Sequence, residues 1–135
     1  MNNVRVYLID DKEDDRELFC YALKAVPQPT QFDCAVSGPD ALEQLTDMDM
    51  LPDYIFLDLN MPGMTGLECL EAMRQMPHLT DTPIIVYSGV SNRIHEQRAK
   101  ALGASHYLIK PFSSEELTGM LANLLGQNEM AFVVA

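Results

Sequence analysis

The sequence predicts an α/β domain built on a parallel five-stranded sheet with helices on both faces. Short apolar runs alternate strictly with amphipathic stretches, five of each, along the whole chain. The runs DYIFLD and PIIVYS are continuously apolar, as central parallel strands covered on both faces must be. Capping-box spacings, Thr65 with Glu68 and Ser113 with Glu116, head two of the intervening stretches. Such alternation implies parallel strands joined by right-handed crossovers.

Each element has its own local reason. VRVYLI (4–9) reads as the first strand. Residues 12–25 read as a helix with Leu18, Ala22 and Ala25 on one face, ended by Pro27 and Pro29. FDCAV (32–36) is a second, weaker strand. The next helix runs from Pro39, a good first-turn residue, to Met48. DYIFLD (53–58) is the third strand, and NMPGMTG (60–66) is dense in turn formers. Thr65 then caps a helix to about Met76. PIIVYS (83–88) is the fourth strand. Ser91 or Asn92 caps a helix that Gly103 stops. SHYLI (105–109) is the fifth strand. Leu117, Met120, Leu121 and Leu124 carry the stripe of the last helix. The tail GQNEMAFVVA fits a frayed end, an extra edge strand or a contact surface.

At 135 residues the chain is one domain with room for a real core. Its formal net charge of −11 repels phosphate backbones and argues against nucleic-acid binding. No apolar run approaches the ~20 residues of a membrane span. The N-terminus lacks the basic-then-apolar pattern of a signal peptide, so a cytoplasmic location is expected. Cys20, Cys34 and Cys69 have no metal-type spacing and read as reduced, mostly buried thiols. His78, His95 and His106 lie away from the predicted strand-end edge and read as surface or packing residues. Met61 and Met64 flank the 60–66 loop, where partner contact and loop packing both fit.

Asp10 and Asp11 end the first strand, Asp58 ends the third and Lys110 ends the fifth. In a parallel sheet the strand carboxyl ends share one edge, where ligands bind. Crowded carboxylates there would raise one another's pKa, and a divalent cation relieves that repulsion. Mg²⁺ takes hard oxygen ligands of this kind. A carboxylate beside the metal is also a competent phosphoryl acceptor. Lys110 would add positive charge, and Ser88, at another strand end, would donate to a phosphoryl oxygen. Helix capping and the helix dipole account for Glu13, Asp14 and Asp15, but not for Asp10 and Asp58.

The elements LIDD, FLDLNMPGMTG, IIVYSG and LGASHYLIKPF, at these spacings, resemble the response-regulator receiver domain of two-component signalling. The resemblance covers about residues 3 to 126. It implies the flavodoxin-like strand order 2-1-3-4-5, a receiver domain over 1–127 and a tail over 128–135. It also implies residue roles. Asp58 would be the phosphoacceptor; Asp11 would bind Mg²⁺ directly, Asp10 through water, and Asn60 through its backbone carbonyl. Ser88 would be the switch hydroxyl, and Tyr107 the switch aromatic that turns inward when that hydroxyl moves. Lys110 would pair with the phosphoryl oxygens, aimed by a cis Lys110–Pro111 bond. Ser88 stands where threonine is the commoner family choice. Val90 is expected to hinder a hydrolytic water, whereas Asn60 is permissive.

The implied function is a phosphorylation switch. A histidine kinase or phosphotransfer protein would supply the phosphoryl group. A downstream protein target would read the result, and a homodimer through the 91–125 region is a further option. Two other classes remain. An aspartyl-phosphate phosphatase would need an acid two residues after Asp58, where Asn60 stands. A phosphorylation-independent interaction module would be expected to lack site residues, which are all present here.

Overall fold

A computed structural model of the chain describes residues 3–127 and 132–135. The strands are β1 (Val4–Ile9), β2 (Thr30–Ala35), β3 (Tyr54–Leu57), β4 (Ile84–Ser88) and β5 (His106–Ile109). The helices are α1 (Glu13–Lys24), α2 (Gly38–Thr46), α3 (Gly66–Arg74), α4 (Arg93–Ala101) and α5 (Ser114–Leu125). One short 3-10 turn, Pro77–Leu79, was not expected from the sequence. The five strands form a single parallel sheet in the order β2-β1-β3-β4-β5, the order the resemblance implies.

Strand alternation divides the core into two layers. Tyr7, Ile9, Ile55, Leu57, Ile84, Val86 and Tyr107 pack toward α2, α3 and α4. Val6, Leu8, Phe56, Ile85, Tyr87 and Leu108 pack toward α1 and α5. Because both faces are covered, β3 and β4 read as nearly unbroken apolar runs, whereas β1 is interrupted by the half-buried Arg5. β2 is an edge strand with Gln31 and Asp33 exposed, which explains its weaker signal. It begins at Thr30 and ends at Ala35, leaving Val36 outside and exposed.

The α1 stripe is displaced from the expected one. Phe19, Ala22 and Leu23 are buried, Leu18 is half-buried and Ala25 is exposed. The larger aromatic takes the core position, where Phe19 meets Phe56 edge-on at 5.0 Å and Tyr87 at 5.4 Å between ring centroids. The α5 stripe matches expectation, with Leu117, Leu121 and Leu124 buried. Cys69 is buried, whereas Cys20 and Cys34 are only half-buried; all three are free thiols. His106 is buried at the start of β5, and His78 Nε2 lies 3.1 Å from the Leu45 carbonyl. Met61 is buried in the α2–α4 layer, so it packs the loop.

Caps fix the helix starts that border the strand ends. The capping box of α3 is complete: Glu68 N–H donates to Thr65 Oγ1 at 3.2 Å, and Thr65 N–H donates back to Glu68 Oε1 at 2.9 Å. In α5, Ser113 Oγ accepts from the Glu116 N–H at 3.2 Å. Asn92, not Ser91, caps α4 by accepting from the His95 N–H at 2.8 Å. Gly103, at φ +100°, terminates that helix in a conformation side chains disfavour. Gly66 is required for another reason. A Cβ there would sit 2.3 Å from the Asp58 carbonyl oxygen, so only glycine lets α3 start this close to the end of β3.

The tail forms an additional edge. Tyr107 pairs in parallel with Val134. The Tyr107 N–H donates to Val133 O at 3.0 Å, Ala135 N–H to Tyr107 O at 2.9 Å, and Ile109 N–H to Ala135 O at 2.8 Å. Phe132 and Val134 pack against the α2–α4 layer. The first part of the expected tail, 128–131, lies outside the described residues.

Candidate functional site

Backbone pairing carries the first two acids to neighbouring positions. β1 and β3 run in register up to Ile9 and Leu57. The Asp58 N–H then donates to Ile9 O at 2.9 Å, and the Asp10 N–H to Ala35 O at 3.1 Å. Asp10 and Asp58 are both buried, and Asp11 is half-buried beside them. One oxygen from each of the three lies within 4.8 Å of the other two. The chain thus brings together the acids that the strand ends promised.

Lys110 enters this cluster from β5. Its backbone N–H donates to Ser88 O at 2.8 Å, continuing the β4–β5 pairing past the last strand residue. Its Nζ lies 2.7 Å from Asp15 Oδ2, 3.0 Å from Asp10 Oδ2 and 3.6 Å from Asp58 Oδ2. The same Nζ lies over the Tyr87 ring, 5.2 Å from its centre. The Lys110–Pro111 bond is trans, not cis as the resemblance implies. Trans is the lower-energy form of such bonds, and the long lysine stem reaches the acids without the cis bend.

Two residues here were missed by the sequence reading. Asp15 was assigned to the helix dipole, yet it makes the shortest contact to Lys110. Lys12 drew no reading at all. Its N–H donates to Asp10 Oδ1 at 3.0 Å. Its Nζ lies 3.4 Å from Asp58 Oδ2, 3.5 Å from Asp11 Oδ1 and 3.5 Å from the Asn60 carbonyl oxygen. The signal that finds it is position: directly after the Asp10–Asp11 pair, Lys12 leaves the same strand end as the acids. It is also the N-cap of α1, with no side-chain cap of its own.

The electrostatics follow from burial and crowding. Burial raises the Asp10 pKa; the Asp58 charge raises it further, and the Lys12 N–H and the Lys110 ammonium only partly oppose them. Burial works against the Lys110 charge, but the Asp15 hydrogen bond with the Asp58 and Asp10 carboxylates outweighs it and holds its pKa above the ordinary lysine value. Lys12 is also raised, with slight burial overcome by Asp58 and Asp11.

The remaining predicted residues occupy the rim. The Asn60 carbonyl faces the cluster through Lys12, and the Asn60 N–H donates to Asp58 Oδ1 at 3.2 Å. Ser88 is buried at the end of β4, and its Oγ accepts from the Val90 N–H at 3.2 Å. Tyr107 stands apart from the carboxylates. It is fully buried, and its hydroxyl donates to Val90 O at 2.6 Å. The aromatic is therefore already inward in this conformation, held by the Val90 carbonyl, rather than turned outward. Val90 itself is 46% exposed.

The response regulator receiver domain family matches residues 6–122. This chain is a response-regulator receiver domain. Protein PilG of Pseudomonas aeruginosa is 30% identical over 120 residues, spanning 89% of this chain and 86% of that protein. A protein-glutamate methylesterase/protein-glutamine glutaminase of Clostridium acetobutylicum is 32% identical over 134 residues. This receiver matches it over 98% of its own length but spans 38% of that enzyme. It spans no more than about half the length of several curated relatives. Among solved structures, the chemotaxis protein CheY4 of Vibrio cholerae has a TM-score of 0.78 at 30% identity, covering 90% of this receiver and 98% of that chain. No helix among the described residues of the receiver is long and apolar enough to cross a membrane.

Proposed function

We propose that this receiver is a phosphorylation switch in which Asp58 accepts a phosphoryl group from the phosphohistidine of a histidine kinase or phosphotransfer protein. The observation that supports it is the convergence of Asp10, Asp11 and Asp58 with the Lys110 ammonium at the carboxyl edge of the sheet. The donor set suits Mg²⁺. Three carboxylates and the Asn60 carbonyl are all hard oxygen ligands, and the Lys12 ammonium already touches Asp11, Asp58 and Asn60 as a cation would. Asp11, Asp58 and the Asn60 carbonyl would hold the ion, and Asp10 would act largely through water. Bound there, Mg²⁺ supplies positive charge against the incoming phosphoryl oxygens.

An Asp58 oxygen attacks phosphorus in line. The P–N bond to the donor imidazole breaks, and its electron pair leaves with the ring nitrogen. Lys110 pairs with a phosphoryl oxygen as the charge on Asp58 grows. The Ser88 hydroxyl turns to donate to another. To do so it gives up its contact with the Val90 N–H, and the Val90 carbonyl is the partner of Tyr107. A charge event at Asp58 thereby reaches the α4, β5 and α5 face through one short chain of hydrogen bonds. A downstream protein reads that face, with a homodimer as a second way of reading it. A cytoplasmic setting suits the three free cysteines.

The reading is tested by incubating the protein with Mg²⁺ and a small phosphoryl donor and recording intact mass. The expected result is one phosphoryl adduct that depends on Mg²⁺ and is absent from Asp58→Asn. An adduct that survives the asparagine replacement places the acceptor elsewhere and overturns the assignment. Steady turnover of a small phosphoester would instead favour the phosphatase class.

A further inference from the structure

The two lysines of the site hold it in different ways, and the difference assigns Lys12 a role. Lys110 makes contacts of 2.7 and 3.0 Å, in the range of strong charge-assisted hydrogen bonds, with a side chain 14% exposed. Lys12 makes three contacts of 3.4–3.5 Å with a side chain 51% exposed. Those three oxygens, from Asp11, Asp58 and the Asn60 carbonyl, are the ones expected to ligate the divalent ion. We infer that the Lys12 ammonium is an internal competitor for that ion, seated on its ligand oxygens and displaced outward when Mg²⁺ binds. The inference rests on the metal site proposed above and adds the residue that sets its affinity.

The chemistry favours displacement. A strongly hydrated ammonium on a flexible four-carbon stem is a point charge that moves easily. Its contacts are long and its own side chain is half exposed, so little is lost when the entering ion takes its place on these oxygens. Its backbone is fixed by the Lys12 N–H to Asp10 hydrogen bond, so the side chain can swing without moving the strand end or the start of α1. Four carboxylates, Asp10, Asp11, Asp15 and Asp58, face two ammonium groups, so negative charge remains to draw in a dication while Lys12 sits on its ligand oxygens. A dication entering the site must therefore overcome the repulsion of Lys12 or expel it. Lys110 is engaged by Asp10 and Asp15 at 3.0 and 2.7 Å and meets only one oxygen of the Lys12 seat, Asp58 Oδ2, at 3.6 Å.

The test is a calorimetric Mg²⁺ titration of wild type, Lys12→Met, Lys12→Arg and Asp11→Asn, paired with the rise in Tm that saturating Mg²⁺ produces in each. Removing one partly exposed charge next to the ion is expected to tighten Mg²⁺ binding about fivefold. Lys12→Met should therefore bind tighter than wild type and show the larger Mg²⁺-induced rise in Tm. Lys12→Arg keeps the charge and should stay near wild type. Equal affinity in wild type and Lys12→Met, or weaker binding in Lys12→Met, overturns the inference while leaving the metal site intact. If neither protein binds Mg²⁺, the metal-site reading falls, and this inference falls with it. If Asp11→Asn binds as well as wild type, the ion is held elsewhere, and the seat assigned to Lys12 is wrong. Tm without metal reports folding of each variant, and Lys12 offers no helix cap whose loss would confuse it.

Discussion

The two flanks of the acid cluster are built on opposite terms. On the β5 flank Lys110 is mostly buried, held against the buried Asp10 and the half-buried Asp15. On the α1 flank Lys12 lies half in solvent over Asp11 and Asp58. A buried ammonium between carboxylates is costly to remove, because the acids left behind have no water to turn to. An exposed one is cheap to remove, because water replaces it. One site thus contains a cation that belongs to the fold and another that is free to leave.

Three measurements break or sharpen that contrast. Lys110→Ala should have the largest effect. It strands buried Asp10 and should cost about 3 kcal/mol in a urea unfolding experiment, whereas Lys12→Met should cost less than about 1 kcal/mol. Equal losses from the two would erase the distinction. Asp15→Asn keeps the shape of the β5 clamp and removes one charge-assisted contact to Lys110, for a loss of about 1 kcal/mol. It should also slow phosphorylation in the intact-mass assay, since Lys110 is then held by Asp10 alone on its near side. Val90→Glu lies outside both flanks and should leave stability within about 0.5 kcal/mol of wild type, as surface changes do. Its expected effect is on the decay of the phosphoryl adduct, because the family resemblance implies that the residue at Val90 borders the approach of hydrolytic water. An unchanged decay rate would remove Val90 from that role.

What was legible in the sequence followed from local chemistry. Unbroken apolar runs announced the buried strands β3 and β4, and the Thr65–Glu68 spacing announced the start of α3. Acids and a lysine at strand ends announced the cluster, because parallel strands bring their carboxyl ends to one edge. What was illegible depended on choices between near-equivalent neighbours. In LFCYAL both Leu18 and Phe19 begin a stripe of helical period, and only the fit against Phe56 and Tyr87 selects Phe19. Asp15 lay in an acidic run that the helix dipole explains well, so nothing local singled it out for Lys110. Lys12 directly follows the Asp10–Asp11 pair, but its contacts to Asp58 and Asn60 come from residues remote in the sequence and only the fold reveals them. The tail AFVVA had strand-forming residues but no partner that periodicity could name; β5 supplies one for Val133, Val134 and Ala135.

That tail alters how the sheet could grow sideways. With Val133 and Ala135 bonded to Tyr107 and Ile109, the border beyond β5 is zipped shut along those residues. Lateral addition of a foreign strand is then left to the outer side of the tail itself or to the opposite border, β2, where the exposed Gln31 and Asp33 make a poor template for a sticky neighbour. A protein that engages the β5 border by pairing its own backbone there must first peel these residues away.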